Sequence, residues 1–138
     1  MGLSRILVDT SAYSWALRGL QEVVQPIRKA EFIALTPVVI GELLAGFIRG
    51  NQEQANREKL ASFTNSARVS ILPVTEETGE RYASLLSALS EQGSKIPTND
   101  IWIAASAMEH GLTLLTTDQH FKKCPLLRLV LVAPPKKP

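Results

Sequence analysis

Arg5-Ile6-Leu7-Val8-Asp9 is the stretch that decides the fold: three apolar residues in a row, closed by a carboxylate. A short apolar run with no alternation reads as a strand buried on both faces. Similar runs return at Phe32-Ile33-Ala34-Leu35, Val69-Ser70-Ile71-Leu72, Leu112-Thr113-Leu114-Leu115 and Leu129-Val130-Leu131-Val132. Between them lie segments of helical length: 10–18, 20–30, 37–49, 52–63, 75–91 and 97–110. Thr36 and Pro37 suit the N-cap and first helical position of one of these, and Gly50-Asn51, Gly93 and Gly111 mark ends. Strands separated by helices imply a parallel sheet covered on both faces. The expectation is an α/β, three-layer α/β/α domain with a central parallel sheet of about five strands.

Composition sets the outer bounds. With 138 residues, 45% apolar and 20% charged, the chain has the makeup of one globular domain over 1–138. The tail 133–138, Ala-Pro-Pro-Lys-Lys-Pro, cannot continue a helix and is expected to fray. A single cysteine, Cys124, rules out an internal disulfide and fits a reducing compartment, so a cytoplasmic location is expected. No apolar stretch approaches the ~20 residues a bilayer requires, and the N-terminal run is too short for a signal peptide. The net charge of +2 permits a nucleic-acid partner without demanding one.

The chemistry is carried by acids in unusual places. The chain has only three aspartates, Asp9, Asp100 and Asp118. Asp9 ends the first strand, Asp118 follows the fourth by way of Thr116-Thr117, and Asp100 opens a helix that continues Ile101-Trp102-Ile103-Ala104-Ala105. In parallel sheets ligands bind beyond the carboxyl ends of the strands, where the strand order reverses. Glu42 is the lone charge between Glu31 and Arg49, in a helix apolar on every face. Such a helix is expected to be buried, and a buried carboxylate requires a partner. Each acid also has an ordinary explanation: Asp9 as N-cap, Asp100 at a positive helix end, Asp118 in a turn, Glu42 leaning to solvent. Together they favour convergence on a cation. All-oxygen ligands suit Mg2+ or Mn2+ rather than zinc, and such an ion supports phosphodiester hydrolysis.

Four segments carry a resemblance: Ile6-Leu7-Val8-Asp9-Thr10-Ser11, Val39-Ile40-Gly41-Glu42-Leu43, Asn99-Asp100-Ile101-Trp102-Ile103-Ala104-Ala105 and Leu115-Thr116-Thr117-Asp118-Gln119-His120-Phe121. In content and order they resemble the motifs of the PIN-domain family, and the length is similar to that of its VapC-type toxins. The resemblance implies a Mg2+- or Mn2+-dependent endoribonuclease that forms homodimers, is held inactive by a small antitoxin, and cuts RNA such as transfer or ribosomal RNA. It implies that Asp9, Glu42, Asp100 and Asp118 are the catalytic, metal-binding acids, oriented by Ser11 and Thr116. Thr117 departs from the pattern, where many relatives carry a basic residue. A PIN nuclease of RNA processing without an antitoxin, and a non-catalytic PIN scaffold binding RNA or protein, remain the alternatives. A phosphate-receiver or haloacid-hydrolase domain fits poorly, because no second acid lies near Asp9 within residues 1–21.

Other features carry less weight. His120 is read as a loop residue before a catalytic one, and His110 as a helix end before Gly111. Trp15 and Trp102 are read as packing residues. Lys122 and Lys123 lie close to Asp118 and are possible contacts to an RNA backbone.

Overall fold

The computed structural model describes residues 4–135. Its centre is a five-stranded sheet, parallel throughout, built from β1 (Arg5–Val8), β2 (Phe32–Leu35), β3 (Val69–Ile71), β4 (Thr113–Thr116) and β5 (Leu129–Leu131). The order across it is β3-β2-β1-β4-β5. From β1 the chain builds outward through β2 and β3, then crosses back to lay β4 and β5 on the other side. The order therefore reverses between β1 and β4, and a crevice opens beyond their carboxyl ends.

Six helices complete the α/β/α layering: α1 (Thr10–Leu17), α2 (Gln21–Lys29), α3 (Pro37–Arg49), α4 (Glu53–Thr64), α5 (Glu76–Glu91) and α6 (Thr98–Glu109). The central strands have no face toward water: Ile6, Leu7, Val8, Ile33, Ala34, Leu35, Leu114 and Leu115 are all 0% exposed. That is why these strands read as unbroken apolar runs instead of alternating ones. α6 is the most enclosed helix, with Ile101, Ile103, Ala104, Ala105, Ser106 and Ala107 buried. It ends at Gly111, whose positive φ of 63° suits a residue without a Cβ.

α3 differs from its expected burial. Its bounds and its Thr36 N-cap, which accepts from the Val39 amide, are as expected. Only the Val39, Leu43 and Phe47 stripe is buried, however, while Gly41, Gly46 and Ile48 face solvent. A helix laid on a sheet's flank buries one face, whatever the other face is made of. Trp15 packs on the core, and Trp102 stacks on Tyr82 at 4.1 Å. Ala133, Pro134 and Pro135 are exposed and irregular, whereas the tail residues Lys136, Lys137 and Pro138 lie outside the described residues. Among the described residues no helix is long and apolar enough to cross a membrane.

Candidate active site

The crevice at the strand reversal is lined by acids. Asp9 leaves β1 with its backbone N–H still donating to Leu115 O of β4 (3.2 Å), so it is held as part of the sheet. The residue is 3% exposed, and both of its carboxylate oxygens accept hydrogen bonds. Oδ1 accepts from the Ala12 amide (2.8 Å) and from Ser11 Oγ (2.9 Å), and Oδ2 accepts from Thr116 Oγ1 (2.5 Å). Asp9 is thus the N-cap of α1 and a member of the crevice at once. The same hydroxyls fix the opposing loop: Thr117 N donates to Ser11 Oγ (3.1 Å) and Asp118 N to Thr116 Oγ1 (3.0 Å). Burial pushes the Asp9 carboxyl up to about 6, with the Asp118 charge adding to it and the three donated hydrogen bonds opposing it.

Asp100 sits in the first turn of α6. Its carboxyl is also pushed up to about 6, first by burial, then by the charges of Asp118, Glu42 and Asp9, with His120 opposing. Among the described residues no group donates a hydrogen bond to it. Asp118 follows β4 and starts a short 3-10 turn over Gln119–Lys123, which the sequence reading had not separated from its loop. Its Oδ1 accepts from the His120 backbone N–H (2.9 Å) and lies 2.9 Å from His120 Nδ1. One ligating atom from each of Asp100, Asp118 and His120 lies within 4.8 Å of the other two.

Glu42 comes from α3, half-buried at the edge of the group. Thr10 Oγ1 donates to its Oε1 (2.5 Å) and Asn99 Nδ2 to its Oε2 (3.3 Å). The structure therefore brings all four acids close enough for three of them to act on Asp100. It sets Asp100 and Asp118 with His120 and leaves Asp9 and Glu42 engaged by hydroxyl and amide donors. Thr10 and Asn99 are neighbours that the sequence does not single out, and His120, expected to be a loop residue, stands with the acids. Their signal was adjacency alone, each lying within two residues of a singled-out acid.

The electrostatics favour a cation. Among the described residues no lysine or arginine forms an ion pair with any of the four acids. Hard carboxylate oxygens with one imidazole form a donor set suited to a divalent ion. Beside Asp118 an open groove of ≈ 780 Å³ runs past Ser11, Thr117 and His120 to the exposed Lys122 and Lys123. Cys124 is buried, and its thiol is pushed up to about 11 by burial and then by the Asp100 charge, so it is no ready nucleophile.

Comparison with known proteins gives a consistent result. The PIN domain profile matches residues 6–126. Ribonuclease VapC4 of Mycobacterium tuberculosis is 29% identical over 134 residues, covering 96% of this chain and 100% of that protein. The crystal structure of VapBC2 from Rickettsia felis, bound to a DNA fragment from its promoter, superposes with a TM-score of 0.81 at 25% identity, covering 91% of this chain and 97% of that one. VapBC-5 from Mycobacterium tuberculosis, a member of the VapBC family of toxin–antitoxin systems, gives a TM-score of 0.66 at 25% identity, over 94% and 98%.

Proposed function

The chain belongs to the PIN-domain family, and from that premise we propose that it is a divalent-metal-dependent endoribonuclease, the toxin of a toxin–antitoxin pair. The observation that carries the reading is Asp100: a carboxylate at the strand reversal that receives no hydrogen bond from the described residues, raised first by burial and then by three neighbouring acids. Asp100 and Asp118 would hold Mg2+ or Mn2+, with Asp9 and Glu42 completing the negative field. A bound ion there would lower the pKa of water and offset charge developing on a phosphate oxygen.

The chain's own contribution is positioning. Ser11 and Thr116 hold Asp9 by both oxygens and, through the Thr117 and Asp118 amides, hold the loop that carries Asp118. Lys122 and Lys123 line the groove through which a phosphate backbone would reach the acids. The substrate is RNA, as the name of the VapC4 relative suggests, with transfer or ribosomal RNA the classes in view. A small antitoxin is the expected partner, since the similar solved structures are of VapBC proteins. A homodimer is also expected, and the exposed Ile48 and Ile71 supply apolar surface for association.

The test is cleavage of transfer and ribosomal RNA by purified protein, with Mg2+, Mn2+ or chelator, against Asp100→Asn. Sequencing of the product ends should show 5′-phosphates and 3′-hydroxyls. Cleavage that survives chelator, or full activity in the variant, overturns the proposal.

A further inference from the structure

The acids named above are all oxygen donors, yet the three-residue cluster that the structure brings together contains a nitrogen. Resting on the metal-dependent reading, we propose that His120 is a third ligand to the ion. Its imidazole makes the site prefer first-row transition ions such as Mn2+ over Mg2+.

The first support is placement. His120 is the second residue of the 3-10 turn that begins after Asp118, and its backbone N–H and its Nδ1 both lie 2.9 Å from the same oxygen, Asp118 Oδ1. The ring is therefore folded back over the carboxylate. This matters because the side chain is 54% exposed and would otherwise be free to sample solvent. The second support is spacing. Two ligands at right angles around one ion, each about 2.1 Å from it, lie about 3 Å apart. The Nδ1–Oδ1 separation is of that size, so one ion can replace the contact with little movement.

The third support is the chain of contacts behind the histidine. Asp9 Oδ2 accepts from Thr116 Oγ1, Thr116 Oγ1 accepts from the Asp118 amide, and Asp118 Oδ1 accepts from the His120 amide. His120 is thus fixed to the sheet by three successive hydrogen bonds, and the ring's position is prepared by the fold.

The chemistry gives the consequence. Mg2+ prefers oxygen and gives up water reluctantly, so an imidazole in its shell adds little. Mn2+ is also served by carboxylate and water oxygens and gains less from imidazole than the later first-row ions do. It gives up water more readily than Mg2+, however, and so accepts the nitrogen donor at less cost. The other acids keep enough oxygen donors for Mg2+ to bind without the histidine.

The experiment is Mn2+ binding by the full-length protein, followed by electron paramagnetic resonance, with Mg2+ affinity read by competition. In wild type, pulsed spectra of bound Mn2+ should show coupling to an imidazole ¹⁴N. His120→Ala should lose that coupling, weaken Mn2+ by about tenfold or more, and weaken Mg2+ by less than about threefold. The exposed ring makes unfolding of the variant a minor concern, and the wild-type spectrum decides ligation without any variant. Absence of ¹⁴N coupling, or an equal loss for the two ions, overturns the role of His120 and leaves the acidic site standing. Failure of wild type to bind Mn2+ at millimolar concentration overturns both this inference and the metal-dependent reading.

Discussion

Helix α6 carries one carboxylate at each end, and the two live in opposite surroundings. Asp100, in the first turn, faces Asp118, Glu42 and Asp9 and receives no hydrogen bond from the described residues. Glu109, at the last turn, is 10% exposed at its side chain and well served. Thr78 Oγ1 donates to it at 2.6 Å, Thr75 Oγ1 lies 3.5 Å away at the start of α5, and His110 Nε2 is 3.5 Å distant. Glu109 thus ties the end of α6 to the beginning of α5, where a negative charge also suits the helix dipole. One acid is a structural clamp with its partners supplied by the chain. The other receives no hydrogen bond from the described residues and, in the proposed enzyme, is a ligand to the metal ion. Burial alone does not separate these roles; the donors around each carboxylate do.

The largest expected effect breaks the comparison at the level of activity. Asp100→Asn should reduce metal-dependent RNA cleavage by roughly two to three orders of magnitude, the scale of losing a principal electrostatic group. Glu109→Gln, which keeps an acceptor for Thr78, should leave the rate within about twofold of wild type. Single-turnover cleavage of one RNA by both variants reads the contrast directly. Comparable losses in the two would mean that the two ends of α6 are not functionally distinct.

The next effect is a pH dependence, and its sign follows from the direction of the shifts. Asp9 and Asp100 are both pushed up to about 6 in the folded protein, from an ordinary value of 3.8. Between those values the folded state keeps protons that the unfolded chain has already released. Stability of the metal-free protein attributable to these groups is therefore highest near pH 4, declines as pH rises toward 6, and stays lowered above. For the buried Asp9 this amounts to about 3 kcal/mol at most, and for the half-exposed Asp100 to less. The check is chemical denaturation in chelator from pH 4 to 7. The stability of wild type relative to Asp9→Asn should fall across that window, and Mn2+ should restore progressively more as pH rises. A flat difference would mean that Asp9 ionises in the fold as easily as in water.

What the sequence disclosed, and what it withheld, follows the range of the interactions involved. The strands were legible because a strand buried on both faces must be a short apolar run, and Ile6-Leu7-Val8 with 0% exposure is such a case. The bounds of α3 were legible because Thr36 and Pro37 punctuate locally. The convergence of the acids was inferable only from their positions at strand and helix ends. Ser11 and Thr116, which the resemblance offered as orienting residues, both donate to Asp9; the partners of Glu42 were not legible. Thr10 and Asn99 reach Glu42 from 32 and 57 residues away, and the strand order that puts β4 beside β1 is a tertiary fact. The burial of α3 was over-read because apolar composition on every face does not say how many neighbours a helix has. His120 reads in the sequence as a loop residue, because its fold-back onto Asp118 is made by a 3-10 turn that has no strong sequence mark.

A smaller effect sharpens the clamp side. Glu109→Ala removes the close acceptor of the fully buried Thr78 hydroxyl and leaves it only Thr75 Oγ1 at 3.4 Å, which should lower stability by about 1–3 kcal/mol. Thr78→Val in the same background should add to that loss, because the Thr78 hydroxyl also accepts from the Thr75 backbone N–H (3.0 Å) and its removal opens the capping box of α5. Denaturant titrations of the two variants check this. Asp100→Asn, by contrast, should hold or raise the stability of the metal-free protein, because it removes a charge facing three like charges. A loss on Asp100→Asn equal to that on Glu109→Ala would make both carboxylates structural.

The smallest expected effect concerns the positive side of the groove. Lys122 and Lys123 are exposed on the 3-10 turn beside Asp118, and their side chains enter no ion pair among the described residues. Their role in the proposed enzyme is to offset the field of the acids for an incoming phosphate backbone. A phosphate contact of this kind contributes through counterion release and carries no base information. Each should therefore act alike on every RNA tested. Lys122→Ala or Lys123→Ala should weaken RNA binding a few-fold at most near physiological salt. The slope of log affinity against log salt should become shallower by about 0.7 per lysine that contacts a phosphate of a single strand. Binding is best measured with Asp100→Asn as the background, so that no RNA is cut during the titration. An unchanged slope would place the lysines outside the RNA path. A change in which RNA is preferred would mean that they read bases, and would move them from the charge-balancing role to recognition.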